Sequence, residues 1–188
     1  NREGLNYGNY VLPLLLTGIS LETIEPDPTK NSCLLGVSYV PNADNLQSIH
    51  LTESMISYHP NSICEGAVEY LIDDDPNTYF HSDYNVGVPL PHWLQFALPE
   101  ECSAFRFEYV TRNAGPHVVP HKISLYGSED GVEFRKIVVL SSELPYDVGQ
   151  TYTSPVLVTG ENIKHIRMAV DESPSGSFAL AEFRLWTL

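Results

Sequence analysis

Basic side chains are scarce in this sequence: 10 Lys and Arg stand against 24 Asp and Glu, giving a formal net charge of −14. A nucleic-acid-binding module needs clustered basic side chains to neutralise phosphates. The same negative charge opposes contact with an anionic membrane surface. We therefore expect the chain to bind neither nucleic acid nor an anionic membrane. Its negative electrostatic potential is most compatible with neutral ligands and divalent cations.

Catalytic and membrane-spanning signatures are also missing. The sequence contains no G-x-S-x-G, no H-E-x-x-H and no phosphate-binding glycine loop. Its acidic residues concentrate in one loop, whereas a glycosidase needs two separated carboxylates. The longest apolar run, residues 11–16, contains Pro13 and is far shorter than the ~20 residues of a membrane span. These absences predict a non-catalytic, soluble protein.

The three cysteines, Cys33, Cys64 and Cys102, include no C-x-x-C unit, which disfavours a zinc or redox site. A disulfide between two of them remains open, and so does a role as small buried apolar residues. The chain starts at Asn1 without a signal peptide. We interpret it as a piece of a longer precursor.

Strands and turns dominate the second part of the chain. Segments 105–111 and 121–127 alternate apolar and polar residues with period two, and residues 128–131 are typical of a hairpin turn. Further strands are predicted at 134–140, 163–170 and 178–188. This spacing predicts an all-β antiparallel sandwich.

The first 50 residues differ from the rest in their pattern of apolar residues and prolines. A strand predicted at residues 7–21 is interrupted by Pro13, a stiff Glu-Pro-Asp-Pro linker follows at 25–28, and residues 33–40 predict another short strand. These segments hold too few apolar residues to bury a core. We predict an N-terminal arm and linker over residues 1–50, the end of a preceding domain, and a β-sandwich module over residues 51–188.

Oxygen ligands are densest in the loop 73–78. Asp73, Asp75 and the Thr78 hydroxyl can converge on one point if Pro76 and Asn77 make the turn. Such hard oxygen donors suit Ca²⁺, although the loop is not an EF-hand. The alternative is an acidic solvated turn in which Asp caps its own backbone.

Five short motifs follow one another in a specific order. They are the acidic loop 73–82, Pro91-His-Trp93, Arg112-Asn113, Ser128-Glu-Asp-Gly131 and Ala181-Glu182. In this order, residues 52–188 resemble the discoidin family, also called the coagulation factor 5/8 type C domain, whose bacterial branch is the family 32 carbohydrate-binding module. Asp74 and Phe80 stand where the family usually has Gly and Trp, and Leu98-Pro99 replaces Leu-Gly.

The resemblance implies a jelly-roll sandwich of the galactose-binding-like type with about eight strands and a structural calcium ion. The implied calcium ligands are Asp73, Asp75, Thr78 and Glu182, with backbone carbonyls near Tyr70 and Ala181. A metal held there would join an early loop to the last strand and would stabilise the fold.

The resemblance also implies a sugar site in the loops at one end of the sandwich. The candidate ligand-binding residues are Arg112, Asn113, His81, Glu65, Tyr84 and Phe178. Tyr84 and Phe178 are the candidate stacking surfaces, because sugar recognition combines an aromatic platform with a few fixed polar groups.

Several of these residues have a second interpretation. Arg112 is also a candidate surface ion-pair partner, His81 a structural side chain and Phe178 a core residue. His117 and His121 are interpreted as ordinary loop residues. The tryptophans Trp93 and Trp186 are expected to be core anchors.

The function implied by the resemblance is a carbohydrate-binding module that targets a secreted or surface glycan-handling protein, for example a chitobiase or other glycosidase. Its expected ligand is a terminal galactose or N-acetylhexosamine. The segment 10–20 resembles the closing strand of amino-terminal domains in Bacteroidetes surface lipoproteins, which would place the module at the end of a multidomain glycan-handling protein. We expect an extracellular, cell-surface or periplasmic location in a bacterium. The alternatives are adhesion to a protein and a binding-silent spacer.

Overall fold

The computed structural model describes residues 19–23, 35–39 and 42–188. The chain divides into two compact units, residues 1–42 and 43–188. In the first unit, β1 (Ile19–Thr23) pairs antiparallel with β2 (Leu35–Tyr39). The predictions for residues 7–18, the 25–28 linker and Cys33 lie outside the described residues. The division of the chain at residue 50 stays a prediction.

The second unit is an antiparallel all-β structure with ten strands, which confirms the predicted fold class. Its strands are β3 (Gln47–Ile49), β4 (Ile56–His59), β5 (Glu65–Gly66), β6 (Phe80–His81), β7 (His92–Thr111), β8 (Lys122–Ser128), β9 (Arg135–Leu140), β10 (Thr151–Thr153), β11 (Leu157–Glu172) and β12 (Ala179–Thr187). Short 3-10 helices lie at Ala43–Asn45, Glu53–Met55, Val68–Leu71 and Pro116–Val118. No helix among the described residues is long and apolar enough to cross a membrane.

Two long strands build both layers of the sandwich. The first part of β7 pairs with β4 and with the second part of β11, which continues to β8 and β9. The second part of β7 pairs with β10 and β12, and β12 continues to β6 and β5. Strand β3 pairs with the end of β12. The layers are therefore joined through continuous backbone.

The core forms between these layers because alternate residues of each strand point inward. In β7, Leu94 and Phe96 are fully buried. The Phe96 ring stacks on Phe183 of β12 with centroids 4.3 Å apart, and Phe107 also stacks on Phe183. This aromatic cluster joins the layers at the centre of the unit.

The two tryptophans are not core anchors, contrary to expectation. Trp93 and Trp186 are only half-buried, because their neighbours Leu94 and Leu185 take the inward positions. Each indole instead carries a guanidinium group over its ring, from Arg167 at 4.4 Å and from Arg106 at 4.8 Å.

The cysteines of the second unit differ in environment. Cys64 and Cys102 are both free thiols. Cys102 is buried, and burial raises the pKa of its thiol to about 12. It therefore behaves as a small apolar side chain, whereas Cys64 is exposed.

Candidate functional site

Strand pairing brings distant polar residues to one end of the sandwich. Glu65 of β5 lies opposite His81 of β6. His81 in turn lies opposite Ala179, at the start of β12, and Leu180 lies opposite Thr111, at the end of β7. The residue after Thr111 is Arg112, so Glu65, His81 and Arg112 meet in space.

Gly66 makes the close approach of β5 to β6 possible. Its φ is +78°, and a Cβ at this position would overlap the carbonyl oxygen of Tyr79. Only glycine satisfies both conditions without strain. Glu65 can therefore lie beside His81 only because residue 66 is a glycine, which has no side chain.

Glu65 organises the site through three donors. Its Oε1 accepts hydrogen bonds from the Tyr79 hydroxyl and from Arg112 Nη2, the latter at 3.0 Å, and its Oε2 lies 3.1 Å from His81 Nδ1. These bonds, that from Tyr79 foremost, hold the pKa of Glu65 below its usual value. The carboxylate is thus ionised and anchors the cation of Arg112.

Arg112 is held from a second side. Its guanidinium carbon lies 3.6 Å from the centroid of the Tyr79 ring, which is a cation–π contact. Among the described residues, hydrogen bonds engage only its Nη2 atom. Nε and Nη1 are therefore available to a ligand in a fixed orientation.

His81 is neutral near pH 7, and its tautomer follows from its partners. Nδ1 faces the Glu65 carboxylate, which only accepts, so Nδ1 carries the hydrogen. Nε2 lies 3.1 Å from Ser177 Oγ and accepts its hydrogen. Burial lowers the pKa of His81, and this effect exceeds the opposing effect of Glu65. The ring consequently connects Glu65 to the loop before β12.

These side chains line an open cavity of about 500 Å³. Its walls are formed by Glu65, His81, Tyr84, Arg112, Gly115, His117, Val118, Ser175 and Ser177. The Tyr84 side chain is 50% exposed, and its ring centroid lies 4.9 Å from that of His81. A cavity of this size, with an aromatic ring and a few fixed polar groups, fits a small ligand.

A buried hydrogen-bond chain fixes the loops beneath the cavity. His92 Nε2 donates to the Val88 carbonyl at 2.9 Å, and His92 Nδ1 accepts from Ser82 Oγ at 2.8 Å. Ser82 Oγ in turn accepts from the Phe178 amide at 3.0 Å. These directions hold for the neutral ring, and burial favours that form because it lowers the pKa of His92.

The structure brings four of the six predicted ligand-binding residues together: Glu65, His81, Tyr84 and Arg112. Arg112 does form the ion pair that was the alternative interpretation, but the pair lies within the cavity. Asn113 is exposed and does not line the cavity. Its side-chain oxygen would lie 3.2 Å from a Cβ at Gly149, so its part in ligand binding stays a prediction.

The prediction for Phe178 as a stacking platform is wrong. Its side chain is fully buried and packs on Phe80 with ring centroids 5.8 Å apart. The preceding residue, Ser177, faces the cavity instead. Sequence reasoning missed Ser175, Ser177, His117 and Tyr79 as cavity or supporting residues, although Ser177 directly precedes the candidate Phe178.

The acidic loop 73–78 folds as a tight turn. Asp75 Oδ1 accepts from the amide of Asn77 at 3.0 Å and from its side chain at 2.8 Å, and these bonds lower the pKa of Asp75. The Asp75 carbonyl, not its carboxylate, lies 2.8 Å from Thr78 Oγ1. The Asp75 carboxylate thus caps the turn, as the alternative interpretation expected, and Asp75 meets Thr78 through its carbonyl oxygen instead. Its role as a metal ligand stays a prediction.

Three oxygens nevertheless crowd together in this loop. Thr78 Oγ1 lies 2.8 Å from both Asp73 Oδ2 and the Asp75 carbonyl oxygen. A single hydroxyl hydrogen is shared between these acceptors, so the hydrogen bonds only partly satisfy their oxygens. A cation among these oxygens would offset their negative charge.

Glu182 lies beside this loop and is buried, with 3% of its side chain exposed. Its Oε1 atom has no hydrogen-bond partner. Burial raises the pKa of Glu182, and the charges of Asp73 and Asp74 raise it further against the opposing effect of Arg184. Arg184 Nη2 lies 3.7 Å from Glu182 Oε2 and 2.9 Å from Asp74 Oδ1.

The residues around Glu182 fit a calcium ion in chemical type. Among the described residues, no three His, Cys, Asp or Glu side chains meet as a metal site. The donors here are instead two carboxylates, a hydroxyl and a carbonyl oxygen, which is the mixture that Ca²⁺ accepts. The orphaned Oε1 of Glu182 is the atom that most needs a cation.

Comparison with solved structures places this fold among known binding modules. A CBM32 module of Clostridium perfringens, CpGH89CBM32-5, in complex with GalNAc-β-1,3-galactose, is 26% identical with a TM-score of 0.55, over 76% of this chain and 95% of that chain. The family 32 module of C. perfringens NanJ, in complex with galactose, is 18% identical with a TM-score of 0.52, over 71% and 94%. The C-terminal domain of a chitobiase from Bacteroides fragilis is 16% identical with a TM-score of 0.56, over 76% and 98%.

No family model matches this sequence, and no curated protein matches it. The solved structures confirm the resemblance to family 32 and factor 5/8 type C domains that the motif order predicted. The second unit of this chain has the galactose-binding-like sandwich fold.

Proposed function

We propose that this chain is a non-catalytic carbohydrate-binding module that holds a terminal galactose or N-acetylhexosamine in the cavity between Glu65, His81, Arg112 and Tyr84. The observation that carries the proposal is the Glu65 carboxylate, which fixes both Arg112 and His81 at the wall of an open cavity. Two of the similar modules were solved with galactose or a GalNAc-containing disaccharide bound.

The cavity offers the contacts that a neutral sugar needs. Sugar hydroxyls both donate and accept, and Arg112 supplies fixed donors while Ser175 and Ser177 supply hydroxyl groups. The exposed ring of Tyr84 provides an apolar surface for a sugar face. Because Arg112 is already paired with Glu65, its charge does not demand an anionic ligand.

A glycan-array screen in the presence of calcium tests this proposal, followed by calorimetry with galactose, N-acetylgalactosamine and N-acetylglucosamine. We expect a hit that Arg112→Ala abolishes, with circular dichroism unchanged. Val132→Ala serves as the control, since Val132 is 79% exposed in the hairpin after β8 and outside the cavity lining. Silence of the folded protein across the array would reject sugar binding.

A structural calcium ion is part of the same proposal. Asp73, Thr78 and Glu182 would supply side-chain oxygens, and the Asp75 carbonyl would supply a fourth. What supports it is the unpartnered Oε1 of Glu182, whose pKa the nearby charge of Asp73 raises, together with the Asp73 and Asp75 oxygens that lie 2.8 Å from Thr78 Oγ1. The ion would stabilise the contact between the acidic loop and β12.

The module would target a larger secreted or surface glycan-handling protein of a bacterium, such as a chitobiase or another glycosidase. Likeness to a chitobiase C-terminal domain supports this context. A second candidate function is adhesion to a protein, which the neighbouring exposed side chains of Tyr84 and Val86, 50% and 47% exposed, favour. If the folded protein binds no glycan on the array, adhesion to a protein or a spacer role becomes the favoured function.

A further inference from the structure

We propose that Tyr146 forms a second sugar subsite, outside the cavity, for the next units of a neutral oligosaccharide whose terminal sugar occupies the cavity. This inference rests on the function proposed above and extends it from a monosaccharide to a chain. Tyr146 took no part in the sequence-based predictions.

Tyr146 is an exposed aromatic side chain that is held in place. Its side chain is 58% exposed, compared with 50% for Tyr84 in the cavity wall. Its ring meets that of His121 edge-on, with centroids 4.5 Å apart and planes at 65°. A ring that is supported from one side loses little freedom when a sugar packs on it.

Two loops span the same strand ends. Loop 112–121 connects the end of β7 to the start of β8. Loop 141–150 connects β9 to β10, and the register places Leu140 opposite Ile123 and Thr151 opposite Val110. The two loops therefore run side by side at the cavity end of the sandwich.

Contacts at both ends tie these loops together. The Gly149 amide donates to the Arg112 carbonyl at 3.3 Å, and Thr111 Oγ1 donates to the Asp147 carbonyl at 2.9 Å. At the other end, Tyr146 contacts His121. Loop 112–121 also supplies Arg112, Gly115, His117 and Val118 to the cavity wall, so it forms a rim of the cavity, and the loop that carries Tyr146 is bonded to this rim at Arg112 and packs on it at His121.

This arrangement suits a chain that leaves the cavity over the rim. A monosaccharide bound at Arg112 would contact the cavity wall only, whereas further sugar units would have to pass over the rim, to which the loop of Tyr146 is bonded. Asn113 is exposed on the rim beside Gly149 and offers an amide to hydroxyl groups on the way. The exposed Asp147 next to Tyr146 disfavours acidic sugars and favours neutral ones.

Calorimetry on the whole chain tests the subsite. The probes are galactose, N-acetylgalactosamine, and neutral tri- and tetrasaccharides with the same sugar at the non-reducing end. We expect the wild type to bind the longer ligands ~5-fold more tightly, which corresponds to about 1 kcal/mol for one ring contact. Tyr146→Ala should remove this gain and leave monosaccharide affinity unchanged, while Tyr146→Phe keeps the gain.

Three outcomes would overturn the subsite. The first is equal affinity of the wild type for short and long ligands. The second is a Tyr146→Ala variant that keeps the gain, or that loses monosaccharide affinity to the same extent. The third is absence of binding to every probe, which also rejects the proposed function, whereas the first two leave it intact. Val132→Ala is the matched exposed control.

Discussion

Two carboxylates of this module have opposite surroundings. Glu65 at the cavity is 34% exposed and receives donors from Tyr79, His81 and Arg112, and its pKa is lowered. Glu182 is 3% exposed, its Oε1 has no partner, and its pKa is raised. A carboxylate that accepts hydrogen bonds from neighbouring side chains can hold those side chains in place. A buried carboxylate oxygen that accepts none is stabilised instead by a bound ligand such as a cation.

The largest effect is expected from Glu65→Ala. Removal of the carboxylate leaves Arg112, His81 and the Tyr79 hydroxyl without their common partner. We expect sugar affinity to fall about 100-fold, or about 2.7 kcal/mol, in calorimetry with the best ligand from the array. Affinity within twofold of the wild type would show that Glu65 does not organise the site.

Calcium removal should act on the other carboxylate. At a calcium concentration 100 times the dissociation constant, we expect the free energy of unfolding to exceed that in a chelator by about 2.7 kcal/mol. Urea denaturation with and without calcium measures this difference. Glu182→Gln should abolish the calcium response and should not destabilise the calcium-free protein. A wild-type stability that calcium leaves unchanged would reject the structural ion.

Acidification should weaken the cavity end because burial lowers the pKa of both His81 and His92. Unfolded histidines bind protons below about pH 6.5, while the native rings resist protonation. Stability is then fully present above that pH and falls below it, by at most about 1.4 kcal/mol per pH unit for each histidine. Urea denaturation between pH 8 and pH 5 measures the fall, which His92→Gln should reduce. An equal fall in wild type and His92→Gln would contradict the shift at His92.

The smallest effect separates the two contacts of Tyr79. Tyr79→Phe removes the hydroxyl donor to Glu65 but keeps the ring beneath Arg112, so affinity should fall ~5-fold, or about 1 kcal/mol. Tyr79→Leu should cost a further factor of ~3 through the lost cation–π contact. Equal affinities for both variants would mean that the ring does not position Arg112.

The fold was predictable because its information is local and repeated. Period-two alternation marks the strands, and the order of five motifs points to one family. The choice of Glu65, His81 and Arg112 as candidates came from the family resemblance. Their mutual hydrogen bonds did not, because they depend on the pairing of β5 with β6 and on the absence of a Cβ at Gly66.

The errors at Phe178 and at the tryptophans share a physical cause, which is the face of the strand on which a side chain lies. A shift of one residue moves a side chain to the opposite face of a strand. Pairing of Ala179 with His81 is fixed by distant segments, and the neighbouring Phe178 lies in the core while Ser177 faces the cavity. In the same way, Leu94 lies inward and Trp93 outward. At Asp75, hydrogen bonds from Asn77 decide that the carbonyl meets Thr78.

Strand β12 has a consequence for biosynthesis. It pairs with β3, β6 and β7, so Ile49 meets Leu185 although nearly the whole unit separates them in sequence. Contacts of such long range form late and slowly. During translation, β6 and the end of β7 emerge from the ribosome long before β12, and the cavity wall cannot close until that strand is released. A chaperone that covers β6 and the end of β7 before β12 is available would therefore increase the fraction of protein with a complete cavity. It would change the content of secondary structure less.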